Sequence, residues 1–223
     1  MKRQFLKIII PAAGYGKRMG VVPAKELLPH PDSGKPFLLE AIERHLSLQA
    51  PFHIISRFDK TELNEYVEDL KNSRPNLSLN LQLIDPSKEW PDTVLKSKDH
   101  WFDWNLLLLP DTDYKPFITF KQIEELVAIK DMTVNFFTFK VEDSSLWGIV
   151  KVSLDCFEIV EKPKKHNDKQ ESRAWGLILF HKNIGEALFK SLLESSTDHQ
   201  WKKIKNRAHV VPLDFFADLT RTK

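Results

Sequence analysis

The chain has 223 residues, 42% hydrophobic and 29% charged, which is ordinary globular usage and enough chain for one large core. Seven Gly and 13 Pro exclude collagen-like and low-complexity readings, and no apolar run reaches the ~18–20 residues that span a bilayer. The 33 basic and 31 acidic side chains nearly cancel, so the sequence has no global footprint for nucleic acid or for a membrane surface.

Taken in chain order, the pattern alternates strand and helix. The N-terminus is basic and then apolar, but Lys7 interrupts it and Pro11 closes it, so 4–12 reads as a buried strand rather than a secretion signal. Residues 13–35 hold Gly14, Gly16, Gly20, Pro23, Pro29, Pro31 and Gly34, which predicts a long loop. Pro36 opens a helix whose Leu38, Leu39, Ile42 and Leu46 share a stripe. A strand follows at 52–56, a helix at 59–73 with Leu63, Val67 and Leu70 inward, and an alternating strand at 77–84. Residues 92–102 read as a helix N-capped by Asp92, and 105–110 as a buried strand running into Asp-Thr-Asp.

Beyond residue 130 strands dominate: 133–139, 147–152, 157–163 and 174–180, then a helix at 183–195 and a strand at 208–213. The prediction is an α/β fold, with a Rossmann-like half (1–130) followed by a mixed-sheet half (131–223). No Gly/Ser-rich linker divides them, so one domain over 1–223 is expected. The polar stretch 164–173 is expected to be a mobile loop. A lone Cys156 excludes an internal disulfide and a multi-cysteine zinc site and fits a reducing cytoplasm.

Charge is distributed unevenly. Residues 1–35 carry Lys2, Arg3, Lys7, Lys17, Arg18, Lys25 and Lys35 against only Glu26 and Asp32. A local cationic excess in a glycine-rich loop after a strand suits a small polyanion, because glycine lets backbone N–H groups approach a phosphate. The loop is neither the dinucleotide fingerprint, which needs glycine where Met19 stands, nor a Walker A loop. Asp111 and Asp113 follow the end of a buried strand, where open α/β sheets place their ligands. Two such carboxylates can present oxygens to Mg²⁺. In EIVEKPKK, Glu161 can grip a hydroxyl and Lys162 a phosphate; the bare alternative is a charged surface turn. Trp90, Trp101 and Trp104 are expected to pack around one helix, whereas Trp147 and Trp175, each before a glycine, can either pack or face a sugar ring. The eight histidines show no metal-ligand spacing.

The motifs, taken in order, resemble the sugar-1-phosphate nucleotidylyltransferases, such as the glucose-1-phosphate uridylyl- and thymidylyltransferases. The string PAAGYGKRMG–PAKELLP–GKP is similar to their signature loop, LLLLPDTD to their metal-binding strand end and WGIV to a Gly-Val-Val turn. IVEKP is similar to their Glu-Lys-Pro motif, AWGLILF to a glycine-containing strand, and FFADLTRTK to their closing segment. The resemblance runs from Ile8 to Asp218.

It implies a three-layer α/β/α sandwich of the nucleotide-diphospho-sugar transferase type with a mixed, mostly parallel sheet. It also implies Mg-assisted transfer from a nucleoside triphosphate to a sugar 1-phosphate, with release of pyrophosphate. By that resemblance Ala12 and Ala13 lie beside the base, and Gly14, Gly16 and Lys17 hold phosphates. Arg18 binds the β- and γ-phosphates and Lys25 the α-phosphate. Asp111 and Asp218 hold Mg²⁺, while Gly148, Glu161, Lys162 and Gly176 receive the sugar phosphate, Lys162 gripping the attacking group. No nucleic-acid or membrane partner is expected; a homo-oligomer is compatible with the pattern.

Three departures keep alternatives open. RMGVVPAK is short, closer to the loop of the methylerythritol-phosphate cytidylyltransferases; DPSKEWPDTVL replaces a glycine-containing base-reading segment; and DLTRTK lacks Gly-Thr-Pro. A cytidylyltransferase acting on a polyol phosphate is one alternative. A non-catalytic nucleotide-sensing subunit is the other.

Overall fold

The computed structural model describes residues 5–14, 24–163 and 172–219. Its first strand, β1 (Leu6–Pro11), is buried along its whole length. Period-two alternation sends Ile8 and Ile10 into one core and Ile9 into the other. Two faces that both need cover require helices on both sides. The first core is closed by α1 (Phe37–Arg44), α2 (Thr61–Ser73) and α4 (Phe120–Val127), through Leu38 and Ile42, Leu63 and Val67, and Ile123. The second is closed by α3 (Trp90–Leu95) and α5 (Lys182–Asp198), through Val94 and through Ile184, Leu188, Phe189 and Leu192. The result is the expected α/β/α sandwich.

The main sheet is mixed. β1 lies between β2 (Phe52–Arg57) and β4 (Trp104–Leu107), with β3 (Leu79–Ile84) beyond β2, and all of these pairs are parallel. The long strand β9 (Ser172–His181) runs antiparallel to β4 and also to β6 (Val134–Val141). On the far side, β7 (Gly148–Val152), β8 (Phe157–Glu161) and β10 (Lys202–Ile204) form an antiparallel run beside β9, and β11 (Ala208–Pro212) pairs parallel with β6. A separate two-stranded ribbon joins β5 (Thr112–Lys115) to β12 (Phe215–Asp218). No helix among the described residues is long and apolar enough to cross a membrane.

The third helix departs from expectation. It begins at Trp90 behind Glu89 rather than behind Asp92, with Pro91 in its first turn, where a missing N–H costs nothing. The Asp92 carboxylate instead accepts from the Lys88 N–H at 3.0 Å. The helix stops at Leu95, and only a short 3-10 turn at Lys98–His100 continues the predicted stretch. Most of the loop expected at 164–173 lies outside the described residues.

Candidate nucleotide-binding site

The parallel strands β1, β2 and β4 end on the same edge of the sheet, the edge where α/β folds place ligands. Beyond β1 come Ala12, Ala13 and Gly14. The Ala12 N–H donates to the Ile55 carbonyl at 2.8 Å, which prolongs the parallel ladder before the chain leaves the sheet. Beyond β4 comes Asp111, 6% exposed. The chain returns to this edge in a 3-10 turn, Lys25–Leu27, whose Lys25 Nζ lies 2.7 Å from Asp111 Oδ2. Two residues 86 positions apart therefore meet at the end of the sheet.

Asp218 arrives by strand pairing. β12 runs antiparallel to β5 with Asp218 opposite Thr112, and the Leu219 N–H donates to the Asp111 carbonyl at 2.9 Å. Burial alone would pull the Lys25 ammonium down. Asp111, Glu26 and Asp218 together outweigh it and hold the group above the usual lysine range. One cation thus serves two converging aspartates, and the donor set is the hard-oxygen kind that suits a divalent cation.

Behind this pair lies a second layer of charge. Glu26, fully buried, takes a bond from Lys60 Nζ at 2.7 Å. The same Nζ bonds the Ala12 carbonyl at 2.6 Å, and Arg57 reaches the Ala13 carbonyl at 3.2 Å while holding Asp59.

The chain is nucleotidyl transferase-like over most of its length: residues 7–209 match the family described as "Nucleotidyl transferase". The chain belongs to that family. A protein of known structure from Bacillus anthracis, described as a glucose-1-phosphate thymidylyltransferase and crystallised with a sucrose, shares the fold. Its TM-score is 0.74 over 96% of this chain and 89% of that one, at 18% identity. No curated protein sequence matches.

Within this nucleotidyl transferase, Ala12, Ala13, Gly14, Lys25, Asp111 and Asp218 gather at one edge of the sheet. Gly16, Lys17 and Arg18 lie outside the described residues. Asp113 does not join Asp111. Asp111 precedes the strand and turns to Lys25, whereas Asp113 lies within β5 and is bound by Arg44 from α1. Arg44 also sits 3.2 Å from His30 Nε2. His30, Asp32 and Asp113 bring ligand-type atoms within 4.8 Å of one another, but the guanidinium already occupies two of the three, so this cluster reads as a charge-satisfied joint between α1 and β5.

The remaining candidates sit on the antiparallel half. Gly148 stands opposite Glu161 across β7 and β8. A Cβ at Gly148 would meet Trp175 Nε1 at 2.1 Å and Glu161 Oε2 at 2.6 Å, so only glycine lets these two side chains close over that backbone. Lys162 takes a left-handed φ of 49°, its N–H donates to the Trp147 carbonyl at 2.9 Å, and its ammonium lies 3.9 Å from Glu161. Gly176 is the extra residue where the β6–β9 register shifts, and the Phe216 ring sits 2.4 Å from where its Cβ would be.

The strand β12 therefore ties both groups together. Phe216 covers Gly176, and Asp218, two residues on and on the same strand face, acts on Lys25. The tryptophans pack. Trp175 lies against Trp90 with centroids 5.1 Å apart, and Trp147 against Phe139 and Phe216 at 5.0 and 5.8 Å. Sequence reading missed Lys60, Arg57 and the buried role of Glu26; the only signal was charge, in the long loop for Glu26, just past a strand for Arg57 and at a helix start for Lys60.

Proposed function

We propose that this chain, acting as a single nucleotidyltransferase domain, joins a nucleoside triphosphate to a sugar 1-phosphate and releases pyrophosphate. The observation that carries the reading is the convergence of Lys25, Asp111 and Asp218 at the carboxyl ends of parallel strands. A sugar phosphate needs no covalent catalyst, because a phosphate monoester is already an ionised nucleophile near neutral pH, its second pKa being about 6. One of its oxygens attacks the α-phosphorus in line, the bond to the bridging oxygen breaks, and pyrophosphate departs with the electron pair.

Catalysis is then positioning and neutralisation of charge. Lys25 stabilises the charge that grows on the α-phosphate, and Arg18 and Lys17 meet the departing phosphates. Lys162 holds the acceptor phosphate against its repulsion from the triphosphate, with Glu161, Gly148 and Gly176 around the sugar. Ala12 and Ala13 border the base, and Gly14 and Gly16 leave room for phosphate oxygens. Asp111 and Asp218 are the residues that would hold Mg²⁺, which supplies charge neutralisation to the phosphates when bound.

The test is incubation of the purified protein with Mg²⁺ and each nucleoside triphosphate, against a panel of sugar 1-phosphates and polyol phosphates. Pyrophosphate release with a sugar 1-phosphate is the expected result. Release only with methylerythritol phosphate and CTP would replace it by the polyol reading. Nucleotide binding without any release would make the chain a sensor.

A further inference from the structure

We propose that Lys60 and Glu26 are positioning residues for the nucleotide site: their buried ion pair joins the end of β1 to the turn that carries Lys25. The inference rests on the functional reading above and deepens it. Lys60 Nζ makes two bonds, at 2.7 Å to Glu26 Oε2 and at 2.6 Å to the Ala12 carbonyl. Glu26 is the neighbour of Lys25 in the 3-10 turn, and Ala12 opens the segment that leads to Gly14. One ammonium thus fixes two segments whose relative placement decides where a triphosphate sits against Lys25.

The pair also orients backbone donors. In a trans peptide the carbonyl of one residue and the N–H of the next point in opposite directions. Lys60 pins the Ala12 carbonyl, so the Ala13 N–H is turned away from it. Arg57 pins the Ala13 carbonyl at 3.2 Å and does the same for the N–H of the exposed Gly14. These N–H groups are the ones a phosphate would meet at the end of β1.

Such a pair is a poor device for stability alone. Glu26 is fully buried, and its Oε1 has no hydrogen-bond partner among the described residues. Replacing a buried ion pair by apolar groups is often neutral or stabilising, whereas removing one partner is costly. Burial pulls the Lys60 ammonium below the usual lysine range, with Lys25 and Arg57 adding to that pull and Glu26 opposing it. What the pair supplies beyond a hydrophobic contact is fixed geometry.

The experiment compares Lys60→Met with the double variant Lys60→Met/Glu26→Gln. The single variant strands a buried carboxylate and is expected to melt well below the wild type. The double variant leaves no uncompensated charge and is expected to melt within a few degrees of it. Its affinity for nucleoside triphosphate, measured by calorimetry, is nevertheless expected to weaken about tenfold or more, with kcat lowered and the KM for the acceptor within about twofold. Hydrogen exchange at residues 12–14 and 24–28 is expected to quicken. A double variant with wild-type melting, nucleotide affinity and exchange overturns the proposal and leaves the functional reading intact. A wild-type protein that binds no nucleotide overturns both.

Discussion

Lys25 and Asp111 hold each other in this structure, yet the proposed chemistry sends them to different partners, the lysine to the α-phosphate and the aspartate to a metal ion. Removing either group at the transition state costs about 2.7–4 kcal/mol, or roughly 10²–10³ in rate. Lys25→Ala and Asp111→Asn are each expected to lose that much turnover with circular dichroism unchanged, and near-wild-type pyrophosphate release from either variant would remove its assigned role. The pairing has a further consequence. Lys25 is a cation that now serves both Asp111 and Asp218, so Lys25→Met takes one positive charge away from two converging carboxylates. Nucleotide-free Mn²⁺ is expected to bind this variant at least about tenfold more tightly than the wild type, by electron paramagnetic resonance. Equal affinity would place the metal's carboxylates elsewhere. Asp111 is legible in the sequence because it follows the end of a buried strand, and Lys25 because it stands in the glycine-rich, cation-rich loop that comes after one. The Glu26–Lys60 pair is not legible, since 34 residues separate its members and nothing in either segment's periodicity announces a buried charge.

At the level of elements, β12 is what brings the C-terminal carboxylate to the site, and its seat is aromatic. Phe216 stacks on Phe139 with centroids 4.3 Å apart and rings nearly parallel, and it lies over Gly176. A methyl group at Gly176 would come within 2.5 Å of two Phe216 ring atoms, so Gly176→Ala must push the ring and the strand with it. Overpacking of this kind costs about 1–3 kcal/mol. The variant is expected to melt lower and to lose Mn²⁺ affinity, and Gly176→Ala/Phe216→Leu is expected to regain both; a Gly176→Ala protein with wild-type metal binding would show that β12 is seated by other contacts. The same ribbon marks where sequence reading fails. The segments TDYK and FFAD carry no hydrophobic alternation and are strands only because each is the other's partner. In contrast, α4 carries a capping box in its sequence, with the Thr119 side chain accepting from the Gln122 N–H and the Gln122 side chain accepting from the Thr119 N–H; it is readable in principle, although no element is predicted there. Asp113 was misplaced for a different reason: its partner Arg44 lies 69 residues upstream, beyond any local pattern.

Across the whole molecule, the sandwich was legible because strands buried on both faces alternate with helices that carry one apolar stripe each, and that arithmetic admits few other folds. What the pattern could not show is how the buried polar groups are satisfied, and two of these are histidines kept neutral. Burial pulls His45 down to about 4 against the Ala41 carbonyl, with Arg44 adding to the pull; its Nε2 faces the Tyr114 hydroxyl. Burial likewise pulls His53 down to about 4, opposed by the Gln82 carbonyl oxygen and aided by the stacked His100 and by Lys7. An unfolded histidine titrates near 6.5, so between 6.5 and 4 the unfolded chain binds more protons than the folded one, and stability falls as the pH falls. The stabilisation is complete above 6.5, and each group forfeits up to about 3 kcal/mol by pH 4. Carboxylates are also lowered, among them Glu40, against its burial, by the Ser33 hydroxyl and Arg44, and Glu43 by Lys35 and Arg74. They begin to act only below their own unfolded range near 4.3, which leaves pH 5–6.5 to the histidines, with a smaller share from His181, also lowered by burial. Urea midpoints measured through that window should drop steadily with acid. The drop should flatten in His45→Gln/His53→Gln, a double variant less stable at pH 7.5 but less sensitive to pH. A wild-type midpoint that stays level from pH 6.5 to 5 would mean that neither imidazole is held neutral by the fold.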